Sequence, residues 1–109
     1  MFGSASAGNQ NLLWAIGTAT AAGATTLAIA LPGGAVGTPK IAQISGTVAA
    51  SAVINISNTQ QVTMACNPNA TPAVKPLPAK AFPVKTGSVS VTVTLAAAGN
   101  VYVEIGFAP

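Results

Sequence analysis

The side chains able to do acid–base, nucleophilic or metal chemistry are few in this sequence. They are Glu104, Cys66 and the lysines at 40, 75, 80 and 85, and there is no His, Asp or Arg. General acid–base catalysis draws on His, on paired carboxylates or on a Lys tuned by its surroundings. One Glu without a His leaves that machinery incomplete. A metal site needs several His, Cys, Asp or Glu ligands, and one Glu with one distant Cys cannot supply them. Cys66 has no His base to raise its nucleophilicity. Standing alone, it forms no intrachain disulfide, and a buried free thiol packed as a small apolar residue is the expectation. Gly33-Gly34 followed by Gly37 lacks the Lys-Ser/Thr ending of a phosphate loop, so turn glycines account for it. A Lys nucleophile or a Ser–Lys pair remains formally possible but has no local signature. The expectation is a protein that is not an enzyme, with no catalytic residue, metal or cofactor.

Binding chemistry is the alternative to catalysis. The formal net charge is +3, a sign compatible with nucleic acid or an anionic membrane. Scattered Lys without Arg cannot make the bidentate contacts of specific base readout, and no specific nucleic acid is expected as a partner. Lys75, Lys80 and Lys85 recur every five residues through and just past a proline-rich stretch, residues 67–83, NPNATPAVKPLPAKAFP. They could face carboxylates, phosphates or headgroups, although solubility of an exposed loop is the plainer account. Glu104 falls on the outward phase of the last strand pattern, as a surface or edge charge or as the partner of a Lys in a neighbouring subunit. Phe2, in an uncharged Gly/Ser/Ala start, is a candidate anchor, and Trp14 is expected in the core. The candidate interface set is Phe2, Lys75, Pro76, Pro78, Lys80, Phe82, Lys85 and Glu104.

The elements that must carry these residues are strands. Ser88, Ser90, Thr92 and Thr94 alternate with Val89, Val91, Val93 and Leu95, an apolar face against a hydroxylated one. After Ala96-Ala97-Ala98-Gly99-Asn100, Val101, Val103, Ile105 and Phe107 alternate with Tyr102, Glu104, Gly106 and Ala108, which suggests a hairpin. Trp14, Ile16, Thr18 and Thr20 alternate with Leu13, Ala15, Gly17 and Ala19. Leu27, Ile29 and Leu31 follow a turn at Ala22-Gly23, and Pro32-Gly33-Gly34 ends the run. Further strands are expected at 42–48, at 52–56 and through Val62, Met64 and Cys66, the last two joined by a turn at Asn58-Thr59-Gln60. Residues 67–83 are excluded from a central strand by their prolines. They form either a crossover between sheets or an arm across a neighbouring subunit. The expected fold is all-β, a small antiparallel β-sandwich or jelly-roll-like barrel with a proline-rich extended loop or arm. Residues 1–11 form a flexible tail, and residues 12–109 a single domain.

Residues 12–31 carry no charge over a membrane-spanning length, but four Thr and two Gly dilute them, and a hairpin is the preferred reading over a membrane helix. The uncharged start does not resemble a secretory signal, so folding in a host cytoplasm is expected, where an unpaired Cys is at home.

Half the residues are hydrophobic and only 5% are charged, against roughly a quarter charged in ordinary domains. Surfaces so poor in charge tend to associate. The leading expectation is therefore a structural subunit of a large symmetric assembly. A bacteriophage virion protein, such as a capsid decoration (cement) or minor capsid protein, is the most concrete form. Its partners would be other copies of itself and a major capsid or scaffold protein. Alternatives are a surface filament or pilus-like subunit, a small membrane-anchored protein using residues 12–31, and a ligand-binding β module, which five aromatic residues serve poorly.

Overall fold

The computed structural model describes residues 12–55, 61–68, 72–77 and 85–109. Eight strands form: β1 (Leu13–Ala19), β2 (Gly23–Ala30), β3 (Thr38–Gly46), β4 (Ala50–Asn55), β5 (Gln61–Cys66), β6 (Ala73–Pro76), β7 (Ser88–Leu95) and β8 (Val101–Ala108). A single 3-10 turn at Pro32–Gly34 follows β2. Pairing is antiparallel throughout, β1 with β8, β2 with β7, β3 with β6 and β4 with β5. The chain is thus a long hairpin with its tip between β4 and β5. Further pairs, β3 with β8 and β4 with β7, roll that ribbon into two four-stranded sheets, β1-β8-β3-β6 and β2-β7-β4-β5. A rolled eight-stranded ribbon in two sheets is the jelly-roll arrangement, and the expected all-β sandwich is the observed fold.

The strand positions follow the period-two patterns. Val89, Val91, Val93 and Leu95 of β7 and Val101, Val103, Ile105 and Phe107 of β8 all face the interior. Ile29, Ile44, Ala52, Ile54 and Met64 complete the core, and no polar or charged residue is buried among the described residues. Cys66 is a buried free thiol, as expected. Its S–H points to the carbonyls of Val48 at 3.7 Å and Asn67 at 3.8 Å, and burial pushes its pKa up.

Several expectations fail on partner choice. β7 and β8 do not form a hairpin, because residues 96–100 carry the chain from one sheet to the other. β1 and β2 behave likewise, crossing between sheets through residues 20–22 instead of pairing. The crossings are held by bonds to one another: Gly99 N donates to Thr20 O at 3.1 Å, Thr47 N to Asn100 O at 2.9 Å, and Ala96 N to Ala49 O at 2.9 Å. Backbone groups that a hairpin turn would satisfy internally are satisfied between loops. Residues 12–31 thus form two strands in opposite sheets, and no helix among the described residues is long and apolar enough to cross a membrane. The turn at 58–60 lies outside the described residues, as does the 1–11 tail.

Trp14 is not in the core. The interior phase of β1 belongs instead to Ala15 and Ala19, with Gly17 between them. A methyl group on Gly17 would stand 3.0 Å from Ile29 Cγ1 and 3.2 Å from Leu27 Cδ1, so side chains of the facing sheet already fill that space. Gly17→Val should therefore destabilise the fold by about 1–3 kcal/mol through overpacking. In an Ile29→Ala background the cost of Gly17→Val should be smaller, as read by urea unfolding in a double-mutant cycle. The raised thiol pKa has its own consequence. The folded chain keeps the Cys66 proton where the unfolded chain releases it, so stability should fall as pH rises past about 8.5. Cys66→Ala should lack that component when unfolding curves at neutral and alkaline pH are compared.

Candidate interaction surface

The outer face of the β1-β8-β3-β6 sheet is apolar because β1 turns its small residues inward. Register places Trp14 beside Gly106, and Gly106 beside Ile41, which pairs with Pro76. The next row runs Ile16, Glu104, Gln43, Val74, and a third runs Thr18, Tyr102, Ser45. Ile16 is 60% exposed, Val74 54%, Tyr102 39% and Trp14 36%. Large apolar side chains gathered on one outer face mark an interaction surface more than single exposed residues do. Gly106 shapes its centre: a methyl group there would lie 2.9 Å from Ile41 Cγ2 and 3.1 Å from both Leu12 Cδ1 and the Trp14 ring. With no side chain at 106, these three close over the middle of the sheet.

Glu104 is half-buried in this face, and its cross-strand neighbours, Ile16 and Gln43, are uncharged. It lies on an interior strand of the sheet, so of the two expected placements, surface or edge, it takes the surface one. A surface that covers Glu104 must supply a cation or hydrogen-bond donors, since burying an unpaired carboxylate is costly.

The outer face of the other sheet is of a different kind. It presents Ala24, Thr26, Ala28 and Ala30 of β2, the Ser/Thr row of β7, Ser51, Val53 and Asn55 of β4, and Gln61, Thr63 and Ala65 of β5. None of these residues is charged. Gln61 Nε2 donates to Asn55 Oδ1 at 3.0 Å, Asn55 Nδ2 to Thr92 Oγ1 at 3.5 Å, and the Thr92 and Thr26 hydroxyls lie 3.4 Å apart. A chain of amides and hydroxyls therefore crosses all four strands.

The structure brings few of the expected interface residues together. Glu104 and Pro76 share the apolar face, in adjacent rows. Lys75 is exposed on β6 at a position opposite Ala42, on the alternate phase, and Lys85 is exposed beside the isolated bridge of Gly37 with Thr86. Phe2, Pro78, Lys80 and Phe82 lie outside the described residues. The proline-rich stretch is in part neither crossover nor arm: β6 is an edge strand on β3, Leu77 N donates to Lys40 O at 2.8 Å, and Leu77 is buried. A short strand at a sheet edge tolerates the prolines that a central one would not. The sequence pattern put Trp14 in the core and did not single out Ile16, Ile41, Val74 and Tyr102. For β1 the usable signal is the run of small residues Ala15, Gly17 and Ala19 that follows Leu13 on one phase, since such a run leaves the bulky residues of the other phase outside.

Comparison of the chain with family models, with curated proteins and with solved structures yields no match.

The two faces of the sheet make opposite demands on the same substitution. Ile105→Ala, in the core, should cost about 2–5 kcal/mol, whereas Ile16→Ala, on the neighbouring strand's outer face, should stay within about 0.5 kcal/mol. Denaturant unfolding of the dilute protein compares them directly. Equal costs would mean that Ile16 is core.

Proposed function

We propose that this protein is a structural subunit of a large symmetric assembly, bound to its neighbours through the outer face of the β1-β8-β3-β6 sheet. Its most concrete form is a virion component, a capsid decoration or minor capsid protein of a bacteriophage. The observation that carries this reading is the face itself, where Trp14, Ile16, Val74 and Tyr102 stand exposed around Glu104. Such a face is stabilised when a second surface removes it from water, at roughly 25 cal/mol per Å² of apolar area.

Two further features support the reading. Jelly rolls recur in viral capsid domains, as they do in lectins and cupins, and the fold alone does not choose among these. The residue inventory favours the structural option, because a chain with no His, no Asp and one Glu has little with which to bind metal or polarise a substrate. Its low charge is also better suited to a packed lattice than to a free monomer. Glu104 sets the complement: the neighbour presents a Lys or Arg at the centre of the contact, ringed by apolar groups. On this reading the partners are other copies and a major capsid or scaffold protein. The protein resides in the virion after folding in the host cytoplasm.

Size-exclusion chromatography with light scattering tests the proposal. Association should grow with concentration, and Trp14→Ser with Ile16→Ser should shift it toward smaller species with little change in the unfolding midpoint. A wild-type chain that stays monomeric at high concentration, both alone and when mixed with assembled particles, would count against a structural subunit.

A further inference from the structure

The four edge strands of the sandwich differ in length and protection: β5 (QVTMAC) and β1 (LWAIGTA) also lack charge and proline, but β2 is the longest of the four. On one side lie β5 and β6, and β6 is four residues long, AVKP, with Lys75 and Pro76 among them. Short length, a Lys and a Pro are devices that stop an edge strand from pairing with another chain. On the other side β1 and β2 lie next to each other across the interior. β2 is eight residues, GATTLAIA, without charge or proline, and its register with β7 runs unbroken from end to end. A long, regular, uncharged edge offers its free N–H and C=O groups as a template for one more strand. Among the described residues β2 hydrogen-bonds into a sheet only through β7.

Two observations say what that strand is. The outward side chains of β2 are Ala24, Thr26, Ala28 and Ala30, all uncharged, so two copies of this strand side by side bring no like charges opposite each other. Its inward side chains Thr25 and Leu27 remain half-buried, although Leu27 packs against the core, so the interior is incompletely covered beside β2. We infer that β2 pairs antiparallel with β2 of a second copy, about a twofold axis perpendicular to the sheet at Leu27. An axis through a residue matches outward with outward and inward with inward side chains, as the pleat requires. Leu27 then meets its own counterpart and each covers the other, Thr26 lies opposite Ala28, and Ala24 opposite Ala30. The dimer holds one continuous eight-stranded sheet whose outer face is uncharged. Because the contact is isologous, pairing uses up the edge and closes the dimer without propagating a fibre. This contact is independent of the apolar face of the other sheet.

Charge pairs read the register. The experiment is run by sedimentation equilibrium in a chain also carrying Ile16→Lys, so that the apolar face contributes nothing. T26K/A28K sets like charges opposite each other twice and should weaken the dimer by about tenfold or more. T26K/A28E sets opposite charges there instead and should return the dissociation constant to within about threefold of the parent. Both substituted positions are exposed, and circular dichroism melts confirm that each variant is folded. A parent chain that is monomeric, a dimer indifferent to T26K/A28K, or a loss that T26K/A28E fails to reverse would each overturn the inference.

Discussion

Between the sheets, Ile29 and Leu27 occupy the space that a side chain at Gly17 would fill, and that contact decides the phase of β1. With Ala15, Gly17 and Ala19 turned inward, the facing sheet approaches β1 closely. Trp14 and Ile16 then have nowhere to go but the outer face. The opposite phase would force a Trp between sheets spaced about 10 Å apart and leave the small residues in solvent. A local steric requirement at one glycine thus determines the chemistry of a whole surface. Gly106 repeats the principle on the other side of the sheet, where the absent side chain lets Leu12, Trp14 and Ile41 converge.

Which parts were legible in the sequence follows from what alternation encodes. Period-two patterning is local, so β7 and β8, with Val on every inward position, could be placed strand by strand and face by face. So could the hydroxyl row Ser88, Ser90, Thr92 and Thr94. Pairing is not local: β8 takes β1 and β3 as neighbours and β7 takes β2 and β4, choices written in no short stretch of sequence. Residues 20–22 and 96–100 have hairpin length and composition, but they are crossings secured by bonds to other loops. β1 was ambiguous because both of its phases are apolar, and only contact with Leu27 and Ile29 separates them. For the same reason the surface rows of Ile16, Glu104, Gln43 and Val74 could not be assembled from single positions.

Scarcity of charge links fold to function. The interior holds no buried polar residue among those described, so nothing inside the sandwich needs ionic compensation. Outside, one sheet shows small hydroxyls and amides that bond to one another, and the other shows aromatic and branched groups around Glu104. Natural sheets use charge to discourage unwanted contacts, and this chain leaves most of its surface without that defence. The lysines at 75 and 85 lie away from the two outer faces, at the β6 edge and near the Gly37–Thr86 bridge. Among the described residues, the outer face of the β2-β7-β4-β5 sheet carries no charge, and the other sheet carries Glu104 on its outer face and Lys40 exposed at the β3 bulge next to Ile41.

Trp14 is the only tryptophan in the chain, and it sits at the surface on which the account turns. Its fluorescence, measured with acrylamide quenching across a dilution series, tests that account most directly. An accessible indole with red-shifted emission in dilute protein, becoming blue-shifted and protected as concentration rises, is the predicted result. Protection that is already complete in the dilute monomer would place Trp14 in the core and contradict it.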